Sequence, residues 1–139
     1  MQIPSPSILY VDDDKDSSEM ICLMLKLANS EYKTVEVGTA EKALKSIAAQ
    51  SFDIYIFDYK LPDMSGIELC RQIRQTDSET PIMIFSGMAR DVDRENAKAA
   101  GANCYLVKPN DLNIFTATVE NLINDKSACL ESKFSFGSV

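Results

Sequence analysis

The segment Ile54-Tyr55-Ile56-Phe57-Asp58-Tyr59-Lys60-Leu61-Pro62-Asp63-Met64-Ser65-Gly66 begins as an apolar run of β-branched and aromatic residues and stops at a carboxylate. A strand that is apolar on both sides is one covered on both faces, as in a parallel sheet flanked by helices. Three further runs have the same character: Ile8-Leu9-Tyr10-Val11, Ile82-Met83-Ile84-Phe85 and Cys104-Tyr105-Leu106-Val107. A fifth, Lys33-Thr34-Val35-Glu36-Val37, alternates and reads as an edge strand. Helical periodicity fills the gaps. Ala40, Ala43, Leu44, Ile47 and Ala48 share one face, and Leu112, Phe115, Val119, Leu122 and Ile123 repeat it near the C-terminus. Helices are also expected over about 17–29 and 66–75, and over about 90–100 on an Ala-rich face of Ala97, Ala99 and Ala100. The order βαβαβαβαβα predicts an α/β domain with a parallel sheet between two helical layers. Pro81 suits the opening of the fourth strand, and Gly101 suits the end of the fourth helix.

The 139 residues are enough for one domain with one core, and 45% hydrophobic with 25% charged residues is an ordinary globular composition. Fourteen Lys and Arg against 21 Asp and Glu give a formal charge of −7 with no basic block. Sequence-independent binding to nucleic acid or to an anionic membrane surface is therefore not expected. No apolar stretch is long enough to span a bilayer. The chain has no histidine, which excludes Ser-His-Asp catalysis and His-ligated zinc. Cys22, Cys70, Cys104 and Cys129 form no C-x-x-C pair, and no signal peptide is recognisable at the N-terminus. The expectation is a cytoplasmic, reduced protein with three buried, inert thiols and Cys129 in the tail. Residues 1–6 read as an extended head, 7–125 as the domain and 126–139 as a mobile, Ser-rich tail.

In open α/β sheets ligands bind beyond the carboxyl ends of the strands. Asp12-Asp13-Asp14 follow the first apolar run, Asp58 the third, Ser86-Gly87 the fourth and Lys108-Pro109 the fifth. If the strands are parallel these clusters share one crevice. Crowded carboxylates repel unless a cation sits among them, and hard oxygen donors favour Mg²⁺, or Mn²⁺, over zinc. A divalent ion with Lys108 and the Ser86 hydroxyl would bind a phosphoryl group, and an aspartate there is a competent nucleophile for it. Asp14, or Asp16, also reads as a helix N-cap. Pro62 and Gly66 set a turn before the third helix, which Asp63 or Ser65 can cap. Asn110-Asp111 reads as a cap for the last helix.

Four motifs, I-L-Y-V-D-D-D, I-Y-I-F-D-Y-K-L-P-D-M-S-G, P-I-M-I-F-S-G and G-A-N-C-Y-L-V-K-P, resemble in order and spacing the receiver domain of two-component response regulators, over about residues 7–125. The resemblance implies a flavodoxin-like (βα)5 doubly wound sheet of five parallel strands in the order 2-1-3-4-5. It implies a signalling switch rather than an enzyme, with Asp58 as phosphoacceptor. Mg²⁺ would be held by Asp13, Asp58 and the Lys60 carbonyl, and by Asp12 through water. Lys108 would pair with the phosphoryl oxygens, and the bond before Pro109 would be cis. Ser86 and Tyr105 would form the switch, with the tyrosine turning inward as the hydroxyl moves to the phosphoryl group. The implied partners are a sensor histidine kinase or histidine phosphotransfer protein and a downstream protein target, reached through the face of the fourth helix, fifth strand and fifth helix. The charges of Arg90, Asp91, Asp93, Arg94, Glu95 and Lys98 suit a polar recognition surface there. Lys60 and Met88, at the positions that tune phosphorylation lifetime, imply slow autodephosphorylation.

Two other classes compete. A haloacid-dehalogenase-type phosphatase would carry a second aspartate two residues after the nucleophile, where this chain has Lys60. A receiver-like module that is never phosphorylated would not need the Asp, Ser and Lys set. The chain could equally be a stand-alone receiver or a receiver excised from a hybrid histidine kinase or a multidomain transcriptional regulator.

Overall fold

In a computed structural model the described residues are 5–125 and Cys129. Strands β1 (Ser7–Val11), β2 (Lys33–Val37), β3 (Ile54–Phe57), β4 (Ile82–Ser86) and β5 (Cys104–Val107) alternate with helices α1 (Lys15–Ala28), α2 (Ala40–Ala49), α3 (Gly66–Arg74), α4 (Asp91–Ala100) and α5 (Leu112–Asn124). The sheet is wholly parallel, in the order β2-β1-β3-β4-β5. This is the flavodoxin-like topology expected from the sequence.

The period-two alternation of each strand divides the interior into two layers. Leu9, Val11, Tyr55, Phe57, Ile82, Ile84, Tyr105 and Val107 face α2, α3 and α4. Ile8, Tyr10, Ile54, Ile56, Met83, Phe85, Cys104 and Leu106 face α1 and α5. The inner strands are buried along their whole length apart from Ser7 at the start of β1, whereas β2 is half exposed, as an alternating edge strand must be. Phe115, Val119 and Leu122 bury the stripe of α5 that the periodicity predicts.

The helix starts follow local capping chemistry. The Asp14 carboxylate accepts from the N–H groups of Asp16 and Ser17, Thr39 Oγ1 from Lys42, and Ser65 Oγ from Glu68. Asp63 does not cap α3. Its carboxylate reaches across to the start of α2 and accepts from the Ala40 and Glu41 N–H groups, both at 2.9 Å. These bonds hold the Asp63 carboxyl below the ordinary carboxylate range. Asp111 begins α5 without capping it, because its side chain turns back to accept from the Val107 N–H at 2.9 Å. In α4 the buried face is Asp93, Ala97 and Ala100, and Ala99 is exposed.

Gly66 follows the bends at 62–64, as expected of the turn before α3, and has no positive φ, so what requires glycine there is space. A Cβ there would lie 2.1 Å from the Asp58 carbonyl oxygen. Only glycine lets α3 begin against the backbone of Asp58. Gly101 is the glycine with a left-handed backbone, at φ 104°, and it ends α4.

The cysteines depart from expectation. Cys104 is bonded to Cys129 in a disulfide, Cys22 is half-buried, and Cys70 alone is a buried free thiol. Spacing could not reveal the bond, because it depends on α5 returning the chain to the start of β5. The expected head at 1–4 and the rest of the expected tail, 126–128 and 130–139, lie outside the described residues. Among the described residues no helix is long and apolar enough to cross a membrane.

Candidate functional site at the carboxyl edge of the sheet

The strand ladder extends one step past the strand ends. Asp12 N–H donates to the Val37 carbonyl (3.1 Å), Asp58 N–H to Val11 (2.9 Å) and Lys108 N–H to Ser86 (2.9 Å). Asp12 and Asp58 are thereby fixed side by side at the ends of adjacent strands.

Lys108 comes from the far edge of the sheet. Its ammonium crosses the end of β4, 5.4 Å from the centre of the Phe85 ring, and reaches both carboxylates. Lys108 Nζ is 2.6 Å from Asp12 Oδ2 and 3.2 Å from Asp58 Oδ2. The Lys108-Pro109 peptide bond is cis, as expected. Burial works to depress the lysine, but the hydrogen bond to Asp12 and the charges of Asp58 and Asp12 override it. The ammonium therefore titrates above its ordinary value and stays charged.

The two aspartates are not equivalent. The Asp12 side chain is 1% exposed and that of Asp58 17%. Asp12 also accepts from the Asp14 N–H (3.0 Å) and the Tyr10 hydroxyl (3.2 Å), so this buried carboxylate has a partner on each side. The sequence reading missed Tyr10. Its signal was present, because residues two apart on a strand point to the same face. Asp58 keeps an open side, accepting only a long bond of 3.3 Å from the Lys60 N–H among the contacts made by backbone donors. Asp13 is exposed beside them. Asp12 and Asp13 line a cavity with Lys15, Ser18, Glu36 and Gly38. Among the described residues, no three Asp, Glu or Cys side chains converge to hold a metal without other donors.

Ser86, 2% exposed, and Tyr105, 1% exposed, flank the edge on the β4 and β5 side. Tyr105 lies inward. Its ring packs between Tyr59, 6.5 Å away, and the Arg94 guanidinium at 5.5 Å. Its hydroxyl donates to the Met88 carbonyl, while the Met88 N–H donates to Ser86 Oγ at 3.3 Å. Met88, singled out in the sequence for its side chain, thus links the two expected switch residues through its main chain. Burial first, then the negative charge of Asp93, pushes the Tyr105 phenol well up, so it remains a donor.

Asp93 corrects the picture of α4 as a solvated charge cluster. It is fully buried, accepting from the Arg90 N–H (3.2 Å), Nε (3.0 Å) and Nη2 (2.9 Å). The opposite side of the edge carries an apolar cleft lined by Met20, Ile21, Phe85, Lys108, Pro109 and Leu112. Met20, Leu23 and Leu27 extend along α1 beside it, 46%, 60% and 78% exposed.

Comparison with known proteins agrees with this geometry. Residues 8–120 match the response regulator receiver domain. The cell cycle response regulator CtrA of Brucella ovis is 30% identical over 132 residues, covering 95% of this chain and 56% of the relative, so the chain spans about half the length of that protein. The solved BeF3-activated DrrB receiver domain superposes with a TM-score of 0.77 at 29% identity, covering 85% of this chain and 97% of that one. A CheY-like receiver domain protein from Methanospirillum hungatei gives 0.80 at 26% identity, with 87% and 95% covered. With the fold, the strand-end clusters and these likenesses in agreement, the chain belongs to the response regulator receiver family of two-component signalling.

Proposed function

We propose that the chain is a phosphorylation-dependent switch that accepts a phosphoryl group on Asp58 in a Mg²⁺-dependent reaction. The observation that carries this reading is the Lys108 ammonium, bonded at once to Asp12 and Asp58 at the open edge of the sheet. It neutralises charge where a dianionic group would arrive, and it leaves the more exposed aspartate free on one side.

The donor set fits the implied metal. Asp12, Asp13, Asp58 and the Lys60 carbonyl offer hard oxygens, and two of these carboxylates already converge on one cation. Asp13 and Asp58 with the Lys60 carbonyl would hold Mg²⁺, and Asp12 would hold it through water. When bound, the ion offsets the charge gathered between nucleophile and phosphoryl oxygens. The Asp58 carboxylate attacks phosphorus, forming the Asp58 O–P bond as the bond from phosphorus to the donor's imidazole nitrogen, or acyl oxygen, breaks. Lys108 follows the charge from the carboxylate to the phosphoryl oxygens. Ser86 turns its hydroxyl to the new group, releasing the Met88 N–H, and Met88 carries the change to Tyr105 and α4. The expected consequence is altered affinity of the α4, β5 and α5 face for a downstream protein.

These 139 residues contain no histidine, so none of them is the histidine that donates the phosphoryl group. A histidine kinase or histidine phosphotransfer protein is the proposed donor, and the cleft beside Lys108 with exposed Leu23 and Leu27 supplies apolar area for docking it. A cytoplasmic location goes with this reading. Acetyl phosphate with Mg²⁺ should label the protein once, and Asp58→Asn should abolish that label. Stoichiometric labelling of the variant, or turnover of added phosphate esters, would reject the proposal. The phosphorylated form should outlast seconds, given Lys60 and Met88 beside the site.

A further inference from the structure

We propose that Cys104 and Cys129 form a reversible thiol–disulfide site, remote from the acidic edge, that fastens the chain beyond α5 to the opposite end of the sheet. Cys104 opens β5, at the end of the sheet away from Asp58 and Lys108, and is fully buried in the layer containing Phe115, Val119 and Leu122. α5 runs back across the sheet on the α1 side, packing on β3, and ends at Asn124, five residues before Cys129. Cys129 then packs against the same layer and is bonded to Cys104 across a Cα–Cα distance of 5.6 Å, an ordinary span for a disulfide.

The two sulfurs differ in access, and that gives each a role. Cys129 is half-buried and Cys104 is fully buried. Opening the bond frees Cys129 and loosens the last turns of α5, while the start of α5 and the sheet stay packed. The other two cysteines are free thiols, neither of them bonded to a second sulfur as Cys104 and Cys129 are. Burial and then Glu36 push the Cys22 thiol up to about 12, and burial pushes Cys70 up to about 11, where its Sγ–H also bonds the Ala100 carbonyl.

The oxidant is the disulfide of a low-molecular-weight thiol such as glutathione. The Cys129 thiolate attacks it, one thiol leaves, and a mixed disulfide forms on Cys129. The Cys104 thiolate then attacks Cys129 Sγ and the second thiol leaves. Two protein thiols are oxidised, one external disulfide is reduced to two thiols, and the protons exchange with solvent. Excess reduced thiol runs the sequence backwards through attack at Cys129. Cys104 and Tyr105 are adjacent but point to opposite faces of β5, so the site acts on the end of α5 and leaves Asp58 unaffected.

The folded chain is incubated with reduced or oxidised glutathione, quenched, denatured, alkylated and mapped by mass spectrometry. The expected result is a Cys104–Cys129 cross-link, two daltons lighter than the dithiol, in oxidised glutathione, and its loss in reduced glutathione, with Cys22 and Cys70 alkylated throughout. Amide exchange at residues 119–125 should slow several-fold on oxidation. Cys129→Ser, which keeps the core thiol, should abolish both effects, and labelling by acetyl phosphate should stay within twofold in every state. The proposal is overturned if both thiols stay alkylatable in oxidised glutathione, if only a mixed disulfide on Cys129 accumulates, or if the bond resists reduced glutathione in the folded protein. Identical exchange at 119–125 in the two states overturns it as well.

Discussion

Replacing Gly66 by alanine tests whether the start of α3 fixes Asp58, the proposed phosphoacceptor. The new Cβ would sit 2.1 Å from the Asp58 carbonyl oxygen, 3.1 Å from its carbonyl carbon and 3.4 Å from Phe57 Cβ. Carbon-to-oxygen contacts in proteins begin near ~3.3 Å, so the two backbones must separate by about 1.2 Å. Neither side yields easily. Asp58 is held by its bond to the Val11 carbonyl, and Gly66 by a 2.7 Å bond from its own N–H to the Tyr59 carbonyl. Overpacking against main chain belongs at the upper end of the usual cost, about 3 kcal/mol, which lowers Tm by roughly 9–12 °C in a domain of this size. A displacement of about 1 Å at a reacting group costs on the order of 100-fold in rate. Circular dichroism melting and the rate of Mg²⁺-dependent labelling by acetyl phosphate read the two effects. Gly101→Ala is the control. Alanine is strained at φ 104° and its Cβ would press on the Arg74 side chain, which bonds the Gly101 carbonyl, and not on Asp58, so it should destabilise without slowing labelling. If Gly66→Ala melts within about 1 °C of the parent and labels within twofold, the close approach does not position Asp58.

Other consequences can be checked on purified protein. Asp63→Ala removes both bonds onto the start of α2 and should lower Tm by about 3 °C, with a wild-type Tm as the contrary result. Asp77 titrates at about 2 instead of 3.8, because hydrogen bonds from Thr80, Glu79 and Tyr55 outweigh its partial burial. A depressed carboxylate stabilises the fold above pH ~4, and that stability disappears as the pH falls through about 2. Undiscounted, the shift is worth about 2.4 kcal/mol, and solvent screening reduces it to about 1 kcal/mol. Urea unfolding of Asp77→Asn should show that loss at pH 7 and a flatter decline between pH 4 and 2; an unchanged pH slope rejects it. Leu23→Asp with Leu27→Asp should slow phosphoryl transfer from a histidine-phosphorylated donor protein at least ~10-fold while sparing acetyl phosphate, and equal rates would remove the docking role of α1.

The sheet was legible because each inner strand writes its burial as a continuous apolar run, and the edge strand β2 betrays itself by alternation. Asp12, Asp58 and Lys108 were legible for a related reason: polar residues directly after such runs have nowhere else to go than the sheet's edge. Contacts made by a side chain reaching another element were not. Asp63 stands three residues before Gly66 and looks like a cap for the nearest helix, yet it caps α2, because only the folded loop places it there. Asp93 sits among five other charges and reads as solvated, yet the exposed Arg90 side chain folds over it and buries it. The disulfide joins residues 25 apart through the antiparallel return of α5, which periodicity does not encode.

The contacts of Met88 have a bearing on how such a domain can be altered. Both are made by peptide atoms, its N–H to Ser86 and its carbonyl to Tyr105. Nineteen of the twenty amino acids supply the same two groups, and proline alone lacks the donor. On the proposed switch reading, the side chain at 88 can therefore change, and with it the lifetime of the phosphorylated form, without breaking the link between Ser86 and Tyr105. Under that reading duration and connection are separable at a single position, and a lineage that retunes the timing of the domain keeps the contact that relays it.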